Sequence, residues 1–92
     1  MGSEASTPRE VRETIKSLLM QVERAQRDPQ AYGFLPDIEQ VLCQMLGSID
    51  QNREVRDRIA SGLGRLVTDN YCFSESELGQ ELLQVADNFA TF

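Results

Sequence analysis

Apolar residues return along this chain at the three- and four-residue steps of a helix, not at the alternation of a strand. Val11, Ile15, Leu18, Val22 and Ala25 follow one another at spacings of 4, 3, 4 and 3, which places them on one helical face. That stripe opens behind Thr7-Pro8-Arg9-Glu10. Threonine there accepts from an otherwise orphaned backbone donor, proline fits the first helical position, and glutamate three residues after the cap reaches back. It closes at Asp28-Pro29, because the residue before a proline is pushed out of the helical region. A connection from Pro29 to Pro36 leads to a second helix starting near Pro36-Asp37. Its face of Ile38, Val41, Leu42, Met45, Leu46 and Ile49 is broad, which makes it the expected centre of the core. Asp50-Gln51-Asn52 is a turn with cap-competent side chains. A third helix from about Arg53 to Val67 is expected to turn Val55, Ile59, Leu63, Leu66 and Val67 inward. Asp69-Asn70 ends it, and Ser74-Glu75-Ser76-Glu77 repeats the capping-box signature ahead of a last stripe of Leu78, Leu82, Val85 and Phe89, flanked by Leu83 and Ala86. The pattern predicts an all-α fold: a compact four-helix domain built from two antiparallel helical hairpins, 7–49 and 52–91. Residues 7–92 then make a single helical domain behind a flexible N-terminal tail, 1–6.

The second half of the chain echoes the first. Arg9-Glu10-Val11-Arg12-Glu13 returns as Arg53-Glu54-Val55-Arg56-Asp57, an offset of 44, which also pairs Ile15 with Ile59, Leu19 with Leu63 and Val22 with Leu66. At an offset of 40, Ile38 meets Leu78, Leu42 meets Leu82 and Ile49 meets Phe89. Two such matches in the same chain order point to a duplicated hairpin. Within the third helix, Gly62 and Gly64 each cost about 1 kcal/mol relative to alanine, so a close approach by a neighbouring helix is the expected reason for them.

Residues 35–66 also resemble a HEAT-type helical repeat, above all the short variety related to phycobilisome lyases. The resemblance rests on Asp50 in the turn, then Val55-Arg56, then Ile59-Ala60 and Leu63-Gly64. It implies a scaffold that binds other proteins, with Asp50 and Arg56 in structural roles. The first helix shares only its Val11-Arg12 start, and two hairpins fall short of the three or more repeats a solenoid needs. The chain is therefore expected to close on itself or to pair with a copy.

Composition sharpens this picture mainly by exclusion. The chain has 92 residues, 40% hydrophobic and 26% charged, which is ordinary for a single globular domain. No apolar run is long enough for a membrane span, and no basic stretch followed by an apolar one opens the chain, so a cytoplasmic protein is expected. Met1-Gly2 with Ser6 does match a minimal myristoylation pattern, but a single lipid chain anchors weakly. A net charge of −6 argues against nucleic acid and suits solubility or a basic protein partner. The sign is unevenly spread. Arg9, Arg12, Lys16, Arg24 and Arg27 lie on or beside the first helix, whereas no lysine or arginine follows Leu66, which favours the first and last helices lying close. Cys43, among apolar residues, reads as a small core residue and Cys72 as a turn residue between aromatics; free thiols are expected, with a disulfide left open.

Candidate chemistry is scarce. There is no histidine, which removes the commonest general base and the commonest metal ligand. Two cysteines without histidine do not make a zinc site. A calcium loop from Asp50 fails, with Val55 where the glycine belongs and Ser61 where the bidentate glutamate belongs. Gly62-Leu63-Gly64 lacks a third glycine and a preceding strand, so it is no phosphate loop. Ser48 follows an apolar helix where the attachment serine of a carrier domain would open one. No catalytic residue, metal or cofactor is expected, and no enzyme. What remains is mainly aromatic: Tyr32 and Phe34 in one connection, Tyr71 and Phe73 in the other, are candidate partner-binding residues, together with Leu19, since the partner is expected on an exposed helix face around Leu19, Leu46 or Leu83. The expected function is a small helical protein-interaction or regulatory module whose partner is another protein, with a homodimer left open. An acidic antitoxin- or immunity-type inhibitor of a basic enzyme, and a structural subunit of a larger assembly, are the alternatives.

Overall fold

Five helices make up the computed structural model, which describes residues 7–91: α1 (Pro8–Gln26), α2 (Leu35–Gly47), α3 (Arg53–Thr68), α4 (Tyr71–Ser74) and α5 (Glu77–Thr91). The chain is all-α, with no strand among the described residues. The expected tail of residues 1–6 lies outside them, as does Phe92. No helix is long and apolar enough to cross a membrane among the described residues.

The helix starts follow from local chemistry. Thr7 and Glu10 form the reciprocal box: the Glu10 N–H donates to Thr7 Oγ1 at 3.1 Å, and the Thr7 N–H donates to Glu10 Oε1 at 3.2 Å. Asn52 caps α3 by accepting the Val55 N–H at 3.0 Å. At α5 the expected serine is not the one used. Ser74 falls inside α4 and its hydroxyl turns back to the Tyr71 carbonyl at 2.8 Å, while Ser76 accepts the Gly79 N–H at 3.0 Å. The one-turn helix α4 stands where the sequence pattern predicts a turn. It forms because Asn70 accepts the Phe73 N–H at 2.9 Å and so starts a helical turn there.

Each longer helix turns one stripe inward. Val11, Ile15, Leu18 and Val22 are buried on α1, and Leu35, Ile38, Leu42 and Met45 on α2. Gly79, Leu82, Val85, Ala86 and Phe89 are buried on α5. These stripes meet in one apolar cluster that contains no buried polar or charged residue among those described. α1 packs on α2 and α5, and α3 packs on α2, α4 and α5, so the four longer helices close a ring. The radius of gyration is 12.7 Å, close to the roughly 12 Å of a compact chain of this length.

Three expectations about side-chain placement are corrected. Cys43 is exposed, because it follows the buried Leu42 by one residue and a helix turns each successive side chain well round its axis. Both cysteines are free thiols, and Cys72 is exposed too. On α3 the buried residues are Ala60, Leu63 and Val67, while Val55, Ile59 and Leu66 are only half-buried. The helix is rotated by one residue from the echo, so the burial of Ile15 on α1 corresponds to Ala60 and not to Ile59. On α5 the echo keeps its phase, with Leu42, Met45 and Ile49 matching Leu82, Val85 and Phe89. No other helix of the fold approaches Gly62 or Gly64 closely. A β-carbon at either position would meet nothing within 4 Å. The close approach is at Gly79 instead, where a β-carbon would fall 2.0 Å from the Phe73 carbonyl oxygen.

Candidate functional site

The connection before α2 and the helix α4 meet through their aromatic rings, and local polar bonds shape each of the two segments. Asp28 follows α1 and accepts the Gln30 N–H at 2.9 Å, which turns the chain toward Tyr32. On the other side Phe73 is held at both ends of its peptide. Its N–H donates to Asn70, and its carbonyl accepts from the Ser76 hydroxyl and from the Ser76 N–H at 3.0 Å. Gly79 lets α5 run directly beneath that carbonyl.

Three rings close the junction. Tyr32 stacks on Phe34 with centroids 5.1 Å apart and planes 26° from parallel. Phe73 sets its ring edgewise against both, at 5.2 Å from Tyr32 and 5.1 Å from Phe34, the arrangement that ring quadrupoles favour. Phe73 is 3% exposed and Phe34 half-buried, so only Tyr32, 39% exposed, presents a ring to solvent. Beside these rings lies a mostly apolar hollow of about 230 Å³, walled by Ala25, Ala31, Tyr32, Leu35, Phe73 and Leu78, with Asp28 and Gln30 at its edge. Small-molecule pockets begin near 300 Å³. This one has room for a side chain or two.

The structure gathers three of the five residues singled out from sequence. Tyr71 stands away from the triad, 75% exposed on α4, and Leu19 is half-buried against the core on α1. Neither walls the hollow. Leu46 and Leu83 are likewise half-buried against the core. The large apolar side chain that α1 exposes is Met20, at 59%, one residue beyond Leu19. Sequence reasoning missed Asn70, Ser76 and Gly79, which position Phe73. Gly79 did carry a signal, since it stands three residues ahead of Leu82 in the inward stripe of α5, where a helix has no reason of its own for glycine.

Elsewhere the surface is shallower or more polar. A furrow of about 490 Å³ runs over the outer face of α3 where Gly62 contributes no side chain, between Glu54, Asp57, Arg58 and Arg65. A dent of about 270 Å³ between α1 and α5 is bordered by Thr14, Glu81, Gln84 and Asn88. Among the described residues no group of three or more cysteine, aspartate or glutamate side chains is placed to hold a metal ion. α1 and α5, of opposite charge, do pack together, with Gln21 Nε2 donating to Glu81 Oε1 at 3.4 Å across the contact.

No protein-family model matches the chain, and neither does any curated protein or solved structure.

Proposed function

We propose that this chain is a protein-interaction module without catalytic activity, which seats an apolar side chain of a partner protein in the hollow beside Tyr32. The observation that carries the reading is the hollow itself: an apolar recess with a fixed aromatic wall, held open where two connections meet. A preorganised recess spares a partner the entropy of shaping one, and aromatic walls are favoured as interface anchors. Its size suits a side chain better than a metabolite. Asp28 at the edge favours a basic residue next to the inserted one.

We read the four longer helices as two hairpins, α1 with α2 and α3 with α5, of the HEAT-type kind. Their pairwise packing and the in-phase echo between α2 and α5 support that reading. The one-residue rotation of α3 is a departure from strict duplication. Two exposed free thiols fit a reducing, cytoplasmic setting.

Panning a random peptide library against the chain tests the proposal. Enriched peptides should share an aliphatic or aromatic anchor beside lysine or arginine. Their amide-shift footprint should centre on Ala25, Ala31, Tyr32 and Leu78, and Tyr32→Ala should weaken binding by roughly tenfold or more, the scale of an interface anchor. A footprint elsewhere on the surface, or affinity indifferent to Tyr32→Ala, would overturn it.

A further inference from the structure

A second surface is built differently from the hollow. Between α3 and α5 runs a groove of about 250 Å³, floored by Ala60, Gly64, Leu83 and Ala90 and bordered by Asp57 and Asp87. Arg56 Nη1 donates to the Phe89 carbonyl at 3.1 Å, which ties the start of α3 to the end of α5. The two aspartates therefore mark one end of the groove, and Gly64 with Leu83 the other.

The same chain carries a helix face that complements this groove. Arg9, Lys16 and Met20 on α1 and Arg27 at its C-cap, still in helical conformation, recur at seven, four and seven residues on the side opposite the buried stripe, and the three cations among them are exposed. Met20 is 59% exposed at the middle of that face. Arg12 and Arg24 flank it, outnumbering with the others its neighbours Glu13 and Glu23. We propose that the α3–α5 groove docks the outer face of α1 from a second copy of the chain. Met20 lies on Gly64, where no side chain stands in its way, and Arg27 reaches the aspartates. The register agrees: seven residues separate Gly64 from Asp57 and Met20 from Arg27, about 10 Å along either helix. An antiparallel crossing that satisfies one contact satisfies the other. Because face and groove are different surfaces, the contact is heterologous, and copies join head to tail.

The patch is small, so the association is weak, with a dissociation constant on the order of 10 μM to 1 mM. Sedimentation equilibrium of the full chain across that range should show a mass rising above one chain. Raising salt from about 50 to 500 mM should weaken association roughly tenfold. Met20→Glu, and separately the double change Asp57→Lys with Asp87→Lys, should each leave monomers that keep the helical spectrum. Mixing the two variants should restore pairs that stop at two chains, since one supplies an intact groove and the other an intact α1 face. Gly64→Gln, which fills the groove without changing charge, should behave as the double variant does. A wild-type chain that stays monomeric at millimolar concentration would overturn the proposal, as would association indifferent to these changes or a mixture that remains monomeric. Capture of an unrelated basic amphipathic helical peptide by a monomeric chain, dependent on Asp87, would assign the groove to a foreign partner instead.

Discussion

Gly79 and Gly62 are both helical glycines, yet they answer to different forces. At Gly79 the Phe73 carbonyl oxygen would lie 2.0 Å from an added β-carbon, and backbone on both sides leaves nothing flexible to yield. Gly79→Ala should therefore destabilise the fold by about 1–3 kcal/mol through overpacking. At Gly62 nothing lies within 4 Å, so Gly62→Ala should stabilise by up to about 1 kcal/mol through helix propensity alone. Urea midpoints of the two variants, moving in opposite directions from the parent, check both. The serines give a second residue-scale contrast. Ser76→Ala removes the acceptor of the Gly79 N–H and the donor to Phe73, and should cost about 1 kcal/mol. Ser74→Ala should lie within about 0.5 kcal/mol of the parent, because that hydroxyl serves only an exposed turn. Equal effects at the two serines would contradict the observed cap. Residue chemistry was legible where the signal was local, as in the Thr7–Glu10 box. Gly79 showed only as a glycine within an inward stripe, and its role, like that of Ser76, depends on α4, whose four residues carry no periodicity to read.

Helices were legible as elements, and their rotation about their own axes less so. α1 presents the stripe its spacing predicts, because it offers apolar residues on one face only. α3 has apolar residues on two adjoining faces, and the choice between them is made by α5. Ala60 rather than Ile59 faces inward, the smaller residue allowing the two helices to approach. The same rotation brings Arg56 half inside, where it donates to the Phe89 carbonyl in the last turn of α5, the end at which a helix dipole favours a cation. Arg56→Ala should loosen that end of α5. Amide exchange from Val85 to Ala90 should quicken, and global stability should fall by about 1.5–3 kcal/mol, the range for a hydrogen bond from a charged group. Uniformly faster exchange through α1 and α2 would mean that Arg56 acts on the whole fold and not on this joint. The aromatic triad belongs to this scale as well. Tyr32 and Phe73 were separately visible as turn aromatics, but only tertiary packing makes them one wall.

For the molecule as a whole, burial is the main source of stability, because the two thiols are free and no buried polar network exists among the described residues. A domain of this length has a net stability of about 5–14 kcal/mol, so the loss of one core side chain takes a large share of it. Leu42 and Cys43 put that to the test from adjacent positions. Leu42 is fully buried at the centre of α2, and Leu42→Ala should cost about 2–5 kcal/mol. Cys43 points outward, and Cys43→Ser should stay within about 0.5 kcal/mol of the parent. Far-ultraviolet circular dichroism through a urea titration separates the two outcomes, and adding reductant should leave the parent curve where it is. The comparison bears on function too. Both proposed surfaces draw on side chains whose neighbours belong to the core, Tyr32 against Phe73 and Leu83 beside Leu82. A variant that abolishes binding carries weight only if its urea midpoint matches that of Cys43→Ser and not that of Leu42→Ala.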